Sequence, residues 1–228
     1  MSEYLLLNIF IIAIPLFLSF ERKIEYYKKL PALLLSIIIV GGAFIIWDVI
    51  ATIRGDWIFN TEYTFNLKLF RLPIEELLFF ITVPYASLFL YETLKLYFTE
   101  KQIDFKKTYA YVIGVFLLVL AVVSFNNSYS LIVLLITAMF ILLAANIHHC
   151  LLCSKIYWMW IVIMFMPFLF VNYILTSLPI VIYSRKAIWD FRISTIPVED
   201  ILYSFSFLSF NLLVYLLAKD RWLAKKYQ

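Results

Sequence analysis

Pro73-Ile74-Glu75-Glu76 returns 124 positions later as Pro197-Val198-Glu199-Asp200, and each copy opens a long apolar run. The same offset pairs Asp48 with Asn172, Phe59 with Tyr183, Phe79 with Tyr203 and Tyr91 with Tyr215. In both copies a polar residue near the end of one apolar run is followed, 27 residues later, by the first acid of the motif. Self-similarity at a fixed period means one structural unit used twice. The chain must therefore fold as two related halves whose acidic motifs occupy equivalent places.

The units are membranous. Of 228 residues, 64% are hydrophobic and 15% charged, and the mean hydropathy is +0.94, beyond the range of soluble domains. Apolar runs long enough to cross about 30 Å of hydrocarbon recur. The spans are read as 3–20, 31–50, 73–98, 108–124, 130–149, 156–178 and 197–218. The run at Tyr4–Phe20 lacks a basic leader and a small-residue cleavage site, so it is expected to stay as the first span. The expected fold is an all-α polytopic membrane protein: seven transmembrane helices, two parallel three-helix repeats (1–98 and 125–228, the latter with the C-terminal tail) and a connector helix (99–124). An offset of four spans preserves orientation, so the repeats are parallel and both acidic pairs open on one side. Loops and tail on one side, from Arg22 to Lys226, hold twelve basic residues against six on the other, including Arg54, Lys68, Arg71 and Arg192. The positive-inside bias places the N-terminus outside and the C-terminus in the cytoplasm. Nothing in this charge distribution calls for nucleic acid.

Pro73 suits the first turn of a helix, and the free N–H groups there favour negative charge, so Glu75 and Glu76 also read as an ordinary acidic helix start. The repetition favours a site. Glu75 and Phe79 share one helical face, as do Glu76 and Phe80, with Pro84 a turn further and Tyr91 and Glu92 deeper. In the last span Asp200 aligns with Ser204 and Asn211, and Glu199 with Tyr203 and Phe207. Asp48 is a carboxylate in an apolar setting, a functional candidate by default. The loops 51–72 and 179–196 are the longest and least apolar. Trp47, Trp57, Tyr63 and Asn66 accompany the first; Tyr183, Trp189, Asp190 and Arg192 lie in the second. Such aromatics anchor spans at the interface or belong to a lid folded over a site. Cys150-x-x-Cys153, with Asn146, His148 and His149, ends the fifth span; without a ligating acid nearby it reads as polar capping, and neither metal nor cofactor is expected.

Carboxylates crowded in low dielectric cannot all ionise, so at least one holds a proton. A carboxylic acid in a dry aromatic cavity protonates an electron-rich carbon, an ionised neighbour removes a proton, and ring faces stabilise the cation between. Rearrangement or cyclisation of a lipid-soluble polyene meets these demands. Proton-coupled transport of a small or lipophilic solute also uses intramembrane acids and stays open.

At these residues the chain resembles the small membrane-integral lycopene cyclases, found as two short subunits or as one fused chain. The marks are Leu72-Pro73-Ile74-Glu75-Glu76-Leu77-Leu78-Phe79-Phe80 with Pro84-Tyr85 and Tyr91-Glu92, and Ile196-Pro197-Val198-Glu199-Asp200-Ile201-Leu202-Tyr203, with Trp47-Asp48 and Asn172-Tyr173-Ile174-Leu175-Thr176 on the approach. The resemblance spans nearly the whole chain. It implies a fused lycopene β-cyclase that closes the linear ψ-ends of lycopene to β-ionone rings, giving β-carotene through γ-carotene without net redox change. Glu75, Glu76, Glu199 and Asp200 would be catalytic, with Glu75 and Glu199 as first-rank acids because both are Glu at matching places. Asp48, Phe79, Phe80, Tyr85, Tyr91, Asn172, Tyr203 and Phe207 would line the substrate, and the partners would be the carotenoid and membrane lipid. Where the family often carries a glycine before the loop arginine, this chain has Leu69-Phe70. The unrelated flavin-dependent cyclases begin with a dinucleotide fold, and no Gly-x-Gly-x-x-Gly occurs here. A prenyl-protein protease would want arginine at position 80, which is Phe, and a retinal protein would want lysine within 201–218, which has none.

Overall fold

The computed structural model describes residues 2–65 and 67–226, with side chains to residue 220. Asn66 and the side chains of Arg221, Lys225 and Lys226 lie outside the described residues. Eight helices occur among them: α1 (Glu3–Leu18), α2 (Tyr26–Arg54), α3 (Ile74–Tyr97), α4 (Lys107–Val123), α5 (Ser128–Ile147), α6 (His149–Cys153), α7 (Lys155–Ser177) and α8 (Glu199–Lys226). Helix α2 opens with a 3-10 turn (Tyr26–Lys29) and includes a π turn (Ile37–Gly41). Two-residue ribbons, β2 (Lys68–Leu69) with β3 (Leu72–Pro73) and β5 (Arg192–Ile193) with β6 (Ile196–Pro197), lead into α3 and α8. Strands β1 (Trp57–Phe59) and β4 (Val181–Tyr183) pair with each other.

Five helices, α2, α3, α5, α7 and α8, are long and apolar enough to cross a membrane. Helices α1 and α4 are apolar but have 16 and 17 residues, roughly 24–26 Å at 1.5 Å per residue, short of the hydrocarbon thickness. The seven expected spans are thus five of full length and two shorter helices. Ser19 follows α1, its hydroxyl donating to the Pro15 carbonyl at 2.6 Å, and a turn there ends the helix inside the expected run. Pro73 stands at the N-cap of α3 with an extended backbone, one place before the first turn.

The halves match in detail. Helices α1, α2 and α3 correspond to α5, α6 with α7, and α8, while α4 packs on α5. Ile74 N–H donates to Leu67 O at 3.1 Å, and its counterpart Val198 N–H to Phe191 O at 3.0 Å. In the β1–β4 ladder Trp57 opposes Tyr183, Ile58 opposes Ile182 and Phe59 opposes Val181. Since Ile58 and Ile182 are themselves 124 apart, a two-fold axis passes between them, perpendicular to the ribbon. Reciprocal bonds flank it: Asn60 N–H donates to Ile180 O at 2.9 Å and Ser184 N–H to Asp56 O at 2.8 Å. The ribbon is reached from α2 through Gly55, whose φ of 82° suits glycine and lets Asp56 N–H return to Ala51 O at 2.9 Å. At the other end of the bundle Glu92 of α3 takes Lys29 of α2 and Lys219 of α8 at 2.6 Å each, and the Tyr215 hydroxyl at 2.8 Å.

Candidate active site

A cavity of about 400 Å³ lies beneath the β1–β4 ribbon, between the halves. Its polar wall is made by Asp48 on α2, Glu76 on α3, and Asn172 and Asp200 on α7 and α8, all buried. Its remaining wall is largely aromatic. Trp47 stands 5.6 Å from Tyr203 and 5.9 Å from Tyr129, and Phe44 lies 5.6 Å from Tyr203 and 4.9 Å from Phe207, between ring centroids. Trp57, Phe59, Val181 and Tyr183 of the ribbon roof it. Trp47, Trp57 and Tyr183 are therefore wall and roof residues. Trp189, by contrast, is partly exposed, and its indole donates to Ser124 Oγ at 3.0 Å.

Each acid has defined partners. Glu76 accepts from the Tyr4 hydroxyl, and Asp48 accepts from Trp57 Nε1 at 2.8 Å. Asp200 receives three donors: Tyr129 Oη at 2.6 Å, Asn172 Nδ2 at 2.7 Å and Tyr183 Oη at 3.2 Å. Three donors hold the Asp200 carboxyl in one orientation at the cavity wall. Asp48 and Glu76 instead stand as carboxyl neighbours, each holding its own donor. The second half replaces the Asp48 carboxyl by the Asn172 amide, so the two motifs carry different proton inventories.

Glu75 and Glu199 do not line the cavity; both are fully buried beside it. Neighbouring residues on a helix point about 100° apart, so when Glu76 and Asp200 face the cavity their predecessors face the loops. Glu75 Oε1 accepts from Ser2 Oγ and from Phe65 N–H, both at 2.6 Å. Glu199 Oε1 accepts from Ser130 Oγ and from Trp189 N–H, both at 2.6 Å. Phe65 and Trp189 are themselves 124 apart. Each first glutamate thus clamps its long loop to the start of the first helix in its half.

Of the side chains expected along the substrate, Asp48, Phe79, Asn172, Tyr203 and Phe207 line the cavity. Phe80, Tyr85 and Tyr91 do not. Phe80 packs edge-on against Phe207, Tyr85 meets Ser19 Oγ at 2.6 Å, and Tyr91 rests on Trp160. Tyr4 and Tyr129, which hold the acids, escape a search at the 124-residue period because they lie 125 apart.

The lycopene cyclase family model matches residues 2–94 and 126–218. The chain belongs to this family. Both ends of the second matched segment lie 124 positions after those of the first, the period of the acidic motif and of the ribbon register. Searches of curated proteins and of solved structures return no significant match. Family membership makes the protein a membrane enzyme of carotenoid biosynthesis acting on a carotenoid. The cavity wall suits such a substrate, since little of it is polar beyond the acids and their donors. Cys153 lies 3.6 Å from His149 Nδ1, and no group of three metal-ligating side chains is found among the described residues.

Proposed function

We propose that the protein is a lycopene β-cyclase, and that Asp48, Glu76 and Asp200 carry the chemistry while Glu75 and Glu199 position the loops above them. The observation that carries this reading is the convergence of those three carboxyls on one aromatic-walled cavity. A proton shared by Asp48 and Glu76 is delivered to C2 of the terminal double bond, leaving a tertiary cation at C1. The C5–C6 double bond attacks C1, closing the six-membered ring and moving the cation to C5. Asp200, ionised within its three donors, takes the C6 proton, and the β-ring forms. One proton enters and one leaves, so the reaction is an isomerisation; the proton returns to the Asp48–Glu76 pair before the next turnover. Trp47, Tyr203 and Phe207 present ring faces to the cationic stage, where the stabilisation is largest in a dry site. A cavity of this volume encloses a drug-sized group, one end of a long polyene. In this reading α1 and α4 also pass the membrane, giving seven passes with the N-terminus outside, and 1–98 and 125–228 are the two half-sites joined by 99–124.

Expression beside lycopene-producing genes, followed by chromatography of the pigments, tests the assignment. Wild type is expected to give β-carotene or the one-ringed γ-carotene, with one deuterium incorporated per ring in heavy water. Glu76→Gln and Asp200→Asn are expected to accumulate lycopene at equal protein level, since removal of a general acid or base costs about 10²–10⁴-fold. A well-expressed wild type that leaves lycopene unchanged, or cyclises it without solvent deuterium, overturns the proposal in favour of a transporter.

A further inference from the structure

The cavity leaves the two-fold axis on one side only. From the acids it runs down between α1 and α7, where Phe10 and Ile14 both line it and stand 61% and 67% exposed. Pro167 of α7 also lines it and is exposed, facing them across the gap. Helices α1 and α7 meet only loosely, with the Phe10 and Phe170 rings 6.2 Å apart. Both wall helices carry an internal proline, Pro15 and Pro167. The equivalent positions in the other half are Met139 and Ala43, so the helices that would form the second gap have no proline there.

That second gap is closed. Leu134 and Ala138, the counterparts of Phe10 and Ile14, are 1% and 0% exposed. Phe210 stands at the place of the cavity-lining Ala86 and packs its ring 5.3 Å from Phe140, which is also 5.7 Å from Phe205. Leu16 and Ile81 are the smaller counterparts of Phe140 and Phe205. On the closed side α4, which has no counterpart in the first half, packs along α5, and an aromatic cluster stands where the open side has Leu16, Ile81 and Ala86.

We infer that the gap between α1 and α7 is the gateway by which a polyene enters sideways from the lipid, and that Ala86 keeps it open. The inference rests on the cyclase reading for its substrate. The passage is apolar from mouth to acids, it opens at side chains that face the hydrocarbon, and one end of a rod can slide through it while the rest stays in lipid. Substrate then never crosses water, and both ends of a symmetric polyene use one opening in turn.

The test uses the full chain in lipid vesicles, in a Cys150→Ser, Cys153→Ser background. Ile14→Cys labelled with a bulky maleimide is expected to lose at least tenfold in lycopene conversion relative to the same variant before labelling. Phe17→Cys labelled in the same way is the control, because Phe17 is 82% exposed one turn on and does not line the cavity. Ala86→Phe, which copies the plugged half, is expected to block conversion, and Phe210→Leu to leave it unchanged. Quenching of tryptophan fluorescence by added lycopene reads binding independently of turnover. If wild type binds lycopene and does not cyclise it, the cyclase reading fails, and the gateway is judged by whether the Ile14 label blocks binding. Conversion or binding at the wild-type level in labelled Ile14→Cys overturns the gateway.

Discussion

The two halves share one backbone plan and differ in the side chains that meet the cavity. The loop side of each clamp, the hairpins, the ribbon and the acid positions repeat at a single period, so the scaffold obeys the two-fold axis. The contents do not: Asp48 faces Asn172, Trp57 stands where the other half has Val181, and Ala86 where it has Phe210. A symmetric frame around an asymmetric lining yields one cavity, with two carboxyls, Asp48 and Glu76, toward one half and one, Asp200, toward the other. The repeat supplies geometry, and divergence within it supplies direction.

The sharpest way to break this comparison is to restore symmetry. Asp48→Asn copies the second half into the first and removes one of the two neighbouring carboxyls of the proposed proton source. Conversion of lycopene is expected to fall about a hundredfold or more, read from pigment ratios at matched expression. An unchanged product profile would place the proton source elsewhere.

A second asymmetry sits at the far end, where Glu92 is matched by Leu216 in the other half. Glu92→Ala leaves Lys29 and Lys219 without their carboxylate and is expected to cost about 3–5 kcal/mol, as when one partner of a buried pair is removed. Thermal unfolding in detergent measures it. For the reverse substitution, Leu216→Glu, the places of Lys219 and Lys29 are taken by Lys95 and Cys153, so the new carboxylate meets one lysine instead of two and is expected to destabilise as well.

Glu75→Gln and Glu199→Gln probe what the halves have in common. As clamps they are expected to keep most of the cyclisation and to lose about 1–3 kcal/mol of stability, the range for a disturbed buried polar group, and to do so alike. A loss of product as deep as that of Glu76→Gln, at full stability, would return the first glutamates to the chemistry. The smallest effect belongs to the hairpins. Phe70 and Arg71 hold φ of 51° and 70°, and Ser194, the counterpart of Phe70, holds 59°. Glycine relaxes such a backbone, so Phe70→Gly is expected to stabilise by about 1 kcal/mol, seen as a higher unfolding temperature with activity kept.

Much of this was legible in sequence. The period located both acidic motifs and the helices they start, and the long loops are where the ribbon forms. Which member of each acidic pair faces the cavity was not, because neighbouring residues differ by a rotation that only packing fixes. Glu75 and Glu199 match each other in both place and chemical identity, whereas the fold turns Glu76 and Asp200 toward the cavity. Tyr4 and Tyr129 were hidden by a one-residue slip in the repeat. The open side was hidden for a different reason: Ala86 against Phe210 looks like ordinary apolar drift until both are seen beside the same kind of gap. The apolar run continues past Leu18 into a turn, so hydropathy overstates the length of α1.

The ion cluster at Glu92 has a mechanical consequence. Lysines reaching from α2 and from α8 grip one carboxylate on α3, so elements of both halves are riveted together at the end remote from the ribbon. The β1–β4 ladder ties the same halves at the opposite end, so the bundle is fastened top and bottom like a barrel between two hoops. The loosely packed seam between α1 and α7 runs between those ties, and the spacing of the acids is held from both ends.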